Sequence, residues 1–377
     1  MRVLFWGTPA FARPALRSLA EEGHVVVGVV TQPDRPAGRG RAVAMSPIKQ
    51  EALEEGIPVL QPERARGEEF VAQIRALQPD ISVVVAFGQI LRPEVLAVPR
   101  LGSVNIHASL LPELRGAAPI QWAIVRGFAS SGVTIMRMDE GMDTGPMLMR
   151  VEEPIEPEES AAELGSRLAE IGAEALVEVL ALLETGDIVE EPQDHSRATY
   201  APKVNRETAR IDWSKPADEV ALWIRGMDDV PGAWSPLAAR GPVKLFRPKV
   251  VNEIGGFAGE VIEAGDGGVL IACGLGAVRV AEVQPPGKRR MRAGDWVRGR
   301  GVSVGDRFGG EGCGGTKVRF RIVAVRDERG FRHQDAMDPQ AISRSPPQER
   351  MNSPLEKRKV RLRGLRPRVR SAARVCG

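Results

Sequence analysis

Three residues of different chemistry lie within one stretch of the chain, Leu101 to Gly145: Asn105, His107 and Asp143. Asn105 offers an amide donor, His107 an imidazole able to take up or give back a proton, and Asp143 a carboxylate. Asn105 and His107 are two residues apart, and alternate residues of an extended strand point to the same side. Ser109 follows the first group, while Asp139 and Glu140 share with Asp143 a loop that carries Gly141 and Gly145. Two runs rich in β-branched residues, Ser103 to Ile106 and Val133 to Met138, are expected to be buried strands, with a helix from Ala117 to Val125 between them. In a parallel α/β sheet ligands bind at the carboxyl ends of the strands, so an amide, an imidazole and a carboxylate delivered there make a plausible active site.

The preceding residues supply the rest of such a sheet. Arg2 to Trp6 reads as a first strand, followed by Gly7-Thr8-Pro9 and a helix to about Ala20. GTPAFA lacks GxGxxG, so a bound dinucleotide has weak support beside an ordinary tight turn. Val25 to Thr31, Pro58 to Leu60 and Ile81 to Ala86 are further strands, with helices from Ser46-Pro47 to Glu55 and from Glu68 to Leu77. Continuous apolar strands alternating with helices argue for a parallel sheet covered on both faces. The loop Gln32 to Met45 holds Arg35, Arg39 and Arg41 among prolines and glycines, which suits either an arm contacting phosphates or a solvated mobile loop. Phe87 to Leu91 is open to two readings as well, a strand-to-helix turn or a ligand-lining loop.

Beyond Gly145 a strand from Met147 to Ile155 and a long amphipathic helix from Ser160 to Leu183 are expected. Gly186 to Asn205 is polar and irregular, as a linker would be. A helix from Ala217 to Arg225 then precedes short strands at Val243 to Phe246, Gly259 to Ile262, Val269 to Ala272 and Ala277 to Val283, the spacing of a small barrel. Lys244, Arg247, Lys249, Lys288, Arg289, Arg290 and Arg292 form a basic patch there or a solvated face. Charge is unevenly spread: 17 of the 52 basic and 7 of the 49 acidic residues lie in 311–377, leaving 35 against 42 before them. Any nucleic acid must therefore be met by local basic loops, because no overall positive field steers it in. Glu349 to Arg374 lacks apolar periodicity and is expected to be disordered, either an RNA-attracting tail or a dispensable extension. Cys273, Cys313 and Cys376 are far apart, which supports neither a disulfide framework nor a zinc site and suits a reducing cytoplasm. No run reaches the ~18 to 20 apolar residues of a membrane helix.

Gly7-Thr8-Pro9, TQPDRPAGRG at Thr31 to Gly40, SVNIHASLLP at Ser103 to Pro112, RGAAPIQWAI at Arg115 to Ile124 and GVTIMRMDEGMDTG at Gly132 to Gly145 together resemble the methionyl-tRNA formyltransferase family. So do ARIDWSKPA at Ala209 to Ala217, PGAWS at Pro231 to Ser235 and QPPGKRRM at Gln284 to Met291, so the likeness covers about residues 1–309. Asn-x-His-x-Ser with the distal Asp marks the broader formyltransferase superfamily, whereas TQPDRPAGRG and the second half mark the tRNA-specific branch. Glu113-Leu114 and Met227 to Val230 depart from the usual pattern, and the tail has no counterpart in it.

The resemblance implies a Rossmann-like parallel-sheet formyltransferase domain at 1–186, a linker at 187–204 and an OB-like tRNA-binding barrel at 205–309, with the arginine-rich tail at 310–377 beyond it. It implies transfer of formyl from 10-formyltetrahydrofolate to the α-amine of methionyl initiator tRNA by a cytoplasmic monomer that needs no metal. Asn105 would then serve the developing oxyanion, His107 would move protons or stabilise charge, and Asp143 would orient His107 and aid proton removal. Folate contacts carry over to Phe87, Gly88, Gln89, Ile90 and Leu91, to Ser109, Leu110, Leu111 and Pro112, and to Asp139 and Gly141. Arg35, Arg39, Arg41, Lys244, Lys288 and Arg289 are the expected tRNA contacts. The competing readings are a formyltransferase acting on a small amine such as a sugar or glycinamide nucleotide, a hydrolase releasing formate, and an RNA-binding module with a degenerate α/β domain.

Overall fold

The computed structural model describes residues 1–37, 42–252 and 255–309. Arg39, Arg41 and everything expected of 310–377 lie outside the described residues. The first half alternates strands and helices: β1 (Arg2–Gly7), α1 (Arg13–Glu21), β2 (Val25–Val30), β3 (Arg35–Ala37), β4 (Ala42–Ala44), α2 (Pro47–Glu54) and β5 (Val59–Leu60). It continues with α3 (Glu68–Ala76), β6 (Ile81–Val85), α4 (Pro93–Leu96), β7 (Ser103–His107), β8 (Arg115–Gly116) and α5 (Pro119–Val125). β9 (Ser130–Arg137), β10 (Met147–Pro154) and α6 (Ala161–Thr185) complete it. Seven strands make one sheet in the order β10, β9, β7, β6, β1, β2, β5, while β3 and β4 pair as a separate hairpin within the long arginine-bearing loop.

Alternation within these strands sorts the core. Val3, Phe5, Val83, Val85, Val104 and Ile106 pack with residues of α1 and α6 on one face, and Leu4, Trp6 and Val84 pack with Phe70, Val71 and Ile74 of α3 on the other. β6 is buried along its whole length, which is why it reads as a continuous apolar run. α6 begins with a capping box in which Ser160 and Glu163 satisfy each other's backbone N–H. Its Gly172 lies under the sheet, where a Cβ would stand 2.8 Å from Ile106 Cγ2. With Val104 and Ile106 turned toward α6, Asn105 and His107 are placed on the opposite face.

One strand corrects the simple parallel expectation. β9 pairs antiparallel with both β7 and β10, Asn105 lying opposite Met136 and His107 opposite Thr134. The carboxyl end of β9 therefore lies beside the amino end of β7, where Met138 N bonds Ser103 O. Asp143 reaches His107 because residues 138–146 loop back between β9 and β10, not because two carboxyl ends adjoin.

The second half carries β11 (Tyr200–Ala201), α7 (Ala217–Gly226), β12 (Trp234–Leu237), β13 (Gly241–Val251) and β14 (Val261–Gly265). β15 (Gly268–Ala272), β16 (Ala277–Gln284), β17 (Met291–Arg292) and α8 (Ala293–Arg298) follow. An antiparallel sheet runs β12, β13, β16, β15, β14, with β17 added on β16. Its two edges are joined by Asp306 to Gly309: Asp306 O accepts from Val261 N, Phe308 N donates to Gly259 O, and Gly309 N donates to Pro236 O. This strap closes the sheet into a small barrel filled by Val243, Leu245, Val269, Ile271, Val280 and Phe308. β13 is longer than Val243 to Phe246, and the strand expected at Gly259 begins at Val261. Among the described residues no helix is long and apolar enough to cross a membrane.

Candidate active site

His107 is buried on β7, 5% exposed, and its Nε2 stands 3.0 Å from Leu114 O. A carbonyl only accepts, so Nε2 carries a hydrogen and the exchangeable position of the ring is Nδ1. Nδ1 lies 3.7 Å from Asp143 Oδ2. The same carboxylate oxygen accepts from Gly116 N at 2.8 Å. Asp143 itself is left-handed, with φ 55°, a conformation that aspartate tolerates better than most residues. A half-buried Asn105 completes the row, and its amide has no hydrogen-bond partner among the described residues. The structure thus brings together the imidazole, the carboxylate and an unspent amide on one face of the sheet.

The remaining residues of the expected site divide by what their side chains do. Phe87 is buried with its ring edge-on to Trp6 at 5.2 Å, and its carbonyl accepts from Thr8 Oγ1 and from Gln32 Nε2. Gln89 is tied to Ala65 N and to Gln32, whereas Ile90 is 78% exposed. Gln89, Ile90 and Leu91 line a cavity of about 520 Å³ together with Arg64, Ala65, Arg66, Arg92, Pro93 and Glu140. Asp139 turns inward to its own loop, where Oδ1 accepts from Gly141 N and from Thr144 Oγ1. Leu111 fills a core with Met136 and Met147, and Ser109 Oγ donates to Glu113 O at 2.6 Å. Ser109 and Leu110 also line a second cavity of about 310 Å³, shared with Glu113, Leu114, Phe128 and Ser131.

The basic patch of the barrel is only partly a patch. Arg247 is paired with Glu163, Lys249 with Glu158, Arg290 with Asp228 and Glu282, and Arg292 with Asp295. Lys244, Lys288 and Arg289 have no carboxylate partner among the described residues, and Arg35 is exposed at the root of the β3 to β4 hairpin. Burial pushes the Asp228 carboxyl up from its ordinary range, against the opposing pull of Arg290.

Sequence reasoning missed a buried network behind the row of Asn105, His107 and Asp143. The guanidinium of Arg115 donates to Gln193 Oε1, and Gln193 Nε2 donates to Asp143 O and Gly145 O. The segment read as an irregular linker contains β11, which pairs parallel with β8, Tyr200 opposite Arg115 and Ala201 opposite Gly116. Arg115 and Gly116 were visible only as part of the RGAAPIQWAI motif, and nothing in the local pattern around Gln193 announces its partner. Among the described residues no group of three or more His, Cys, Asp or Glu is placed to hold a metal ion.

Comparison with known proteins gives the family. Residues 1–180 match the family described as formyl transferase, and residues 203–301 its C-terminal domain. A methionyl-tRNA formyltransferase of Trichlorobacter lovleyi is 46% identical over 304 residues, covering 81% of this chain and 96% of the relative. That of Magnetococcus marinus is 48% identical over 309 residues, covering 82% and 98%. Among solved structures, HypX from Aquifex aeolicus in complex with tetrahydrofolic acid aligns with TM-score 0.57 at 22% identity, over 79% of this chain and 47% of that one. The sugar 3N-formyltransferase WlaRD, solved in the presence of dTDP and 5-N-formyl-THF, aligns with TM-score 0.56 at 19% identity, over 77% and 99%. At those identities the two structures speak for the fold.

Proposed function

This chain belongs to the methionyl-tRNA formyltransferases, enzymes that formylate methionyl-tRNA, and from that premise we propose the roles of its residues. The formyl donor is 10-formyltetrahydrofolate, a substrate consumed in the reaction, and the acceptor is the α-amine of methionine on the initiator tRNA. One observation carries the reading: Asp143 Oδ2 lies 3.7 Å from His107 Nδ1, beside an Asn105 amide with no partner among the described residues.

Attack of an amine on a formyl carbon leaves negative charge on the formyl oxygen and a proton to be removed from nitrogen. Asn105 donates its amide N–H to that oxygen, a contact worth ~3 to 4 kcal/mol in comparable sites. His107 takes up or returns the proton at Nδ1, because Nε2 is engaged with Leu114 O. A proton on Nδ1 changes its contact with Asp143 from a repulsion between lone pair and carboxylate into an attraction. Asp143 therefore supports the cationic ring as the amine loses its proton, directly or through water. The cavity beside Gln89, Ile90 and Leu91 lies in the ~300 to 1,000 Å³ range of small-molecule sites and suits the folate. In this reading Phe87 and Gln89 keep that loop in place while Gly88 and Ile90 meet the ligand. Asp139 shapes the loop of Asp143, and Ser109 to Pro112 brace it from the other side.

The chain divides in this reading into a catalytic domain at 1–186 and a barrel at 205–309 that contacts tRNA through Lys244, Lys288 and Arg289, with Arg35, Arg39 and Arg41 reaching the acceptor end. Phosphate contacts position without specifying, so these charges dock the tRNA and do not choose it. The reading places a monomer in the cytoplasm. The test is transfer of labelled formyl from 10-formyltetrahydrofolate to initiator methionyl-tRNA by the intact chain, His107→Ala and a chain ending at Gly309. Transfer by the intact and shortened chains, with a loss of about 10² to 10⁴-fold in His107→Ala, is expected. Full transfer by His107→Ala would remove it from the mechanism, and no transfer by the intact chain would redirect the search to small amines.

A further inference from the structure

We propose that the segment joining the two domains is part of the active site, with Gln193 as a positioning residue for Asp143; this rests on the reading of Asp143 given above. The argument starts from Arg115, whose side chain is 2% exposed and has no carboxylate partner among the described residues. Its Nε and Nη2 both donate to Gln193 Oε1, at 3.1 and 2.6 Å, and Nη2 stands 3.0 Å from His195 Nδ1. Guanidinium only donates, so the oxygen of the Gln193 amide must face Arg115 and its NH2 must face the other way. There it donates to Asp143 O at 2.9 Å and to Gly145 O at 2.7 Å. The left-handed backbone of Asp143 is thus held from the carbonyl side by Gln193 while Gly116 N holds its carboxylate.

The same segment reaches the partner of His107. Leu114 N donates to Thr199 Oγ1 at 2.9 Å and Arg115 N to Thr199 O at 2.9 Å, so the peptide that offers Leu114 O to the imidazole is fixed by the joining segment. A carboxylate at position 193 would pair with the buried Arg115 more strongly than an amide does. It would also place two acceptor oxygens where two carbonyls need a donor, and a negative charge beside Asp143. Glutamate would therefore keep the bond to Arg115 while removing the uncharged donor toward Asp143 and Gly145, and glutamine serves both sides at once.

Gln193→Glu separates the two roles. The expected result is a folded protein with KM values for donor and tRNA within about threefold. kcat falls by roughly 10 to 10²-fold, the size of effect that small misplacements of catalytic groups produce. The added charge moves the pH profile of kcat toward higher pH. Combining Gln193→Glu with Asp143→Asn costs no more than Asp143→Asn alone, since both act through one group. A wild-type kcat and pH profile in Gln193→Glu, or full multiplication of the two losses, would overturn the inference. Wild-type kcat in Asp143→Asn would instead overturn the reading of Asp143 on which it rests. If Gln193→Glu is not folded at the assay temperature, Gln193→Met, assayed below its melting midpoint, decides the matter by the same split between kcat and KM.

Discussion

The candidate row of Asn105, His107 and Asp143 and the seam where the barrel meets the first half are held by different kinds of bond. Around His107 and Asp143 the partners are uncharged: Leu114 O, Gly116 N and the Gln193 amide. Along the seam they are charged, with Arg247 on Glu163 at 2.6 Å and Lys249 on Glu158 at 3.3 Å, flanking an apolar contact of Trp122 with Trp223 at 6.1 Å. Both pairs are exposed enough for water and salt to weaken them, so each contributes ~0 to 1 kcal/mol. Neutral hydrogen bonds hold geometry without consuming the charge that the chemistry needs. Exposed ion pairs suit a seam that needs direction more than depth, and the apolar contacts there supply the burial.

The contrast can be broken most strongly at Asn105. Asn105→Ala removes an unspent amide and little packing, so kcat should fall about 10²- to 10³-fold while the melting temperature stays near that of the parent. Single-turnover formyl transfer together with a thermal melt checks this, and a matching loss of stability would show that the residue serves the fold. Gly116→Ala should have an intermediate effect that reaches both regions. Gly116 has φ 113°, and a Cβ there would stand 2.8 Å from Ala201 O, against the strand pair that fixes the joining segment. A loss of ~1 to 3 kcal/mol in stability is expected from the strained backbone, with kcat reduced because Gly116 N is the donor to Asp143. Urea unfolding and kcat measured on the same preparation would separate the two.

The smallest effect belongs to the seam. Arg247 holds the Glu163 carboxyl down to about 2 from an ordinary 4.5, helped by bonds from Ser160. A carboxylate lowered on folding contributes stability that is present above the ordinary value and is lost as pH falls toward the folded one. The pair should therefore weaken between about pH 4.5 and 2, and because both side chains are 43% exposed its whole effect should stay near or below ~1 kcal/mol. Buried Asp228 has the opposite sign: its raised value favours the fold at low pH and is a cost once pH rises through it. Melting Arg247→Ala at pH 7 and pH 3, with and without added salt, checks the assignment. A loss in Arg247→Ala that is independent of both pH and salt would show the residue to be a packing element.

Most of the elements were legible because their signals are local. The β-branched runs Ile81 to Ala86 and Ser103 to Ile106 became the buried strands Ile81–Val85 and Ser103–His107, and Ser46 accepts from Lys49 N as the cap of α2. The barrel was legible from the spacing of its strands, but its closure by Asp306 to Gly309 was not, since those bonds join residues tens of positions apart. The choice between a basic patch and a solvated face was open for a related reason. Counting lysines and arginines cannot reveal that Arg247 and Lys249 face carboxylates from α6 and the turn before it.

What the sequence determined by itself was the set of groups able to do the chemistry and the strand that carries two of them, since residue type and period-two alternation are properties of the chain alone. The tertiary structure decided the direction of β9, the route by which Asp143 arrives and the network of Arg115, Gln193 and Thr199 that holds it. Those depend on which backbone groups remain unpaired after the sheet has formed. A buried donor or acceptor must find its partner wherever the fold brings one within about 3 Å, at whatever distance along the chain.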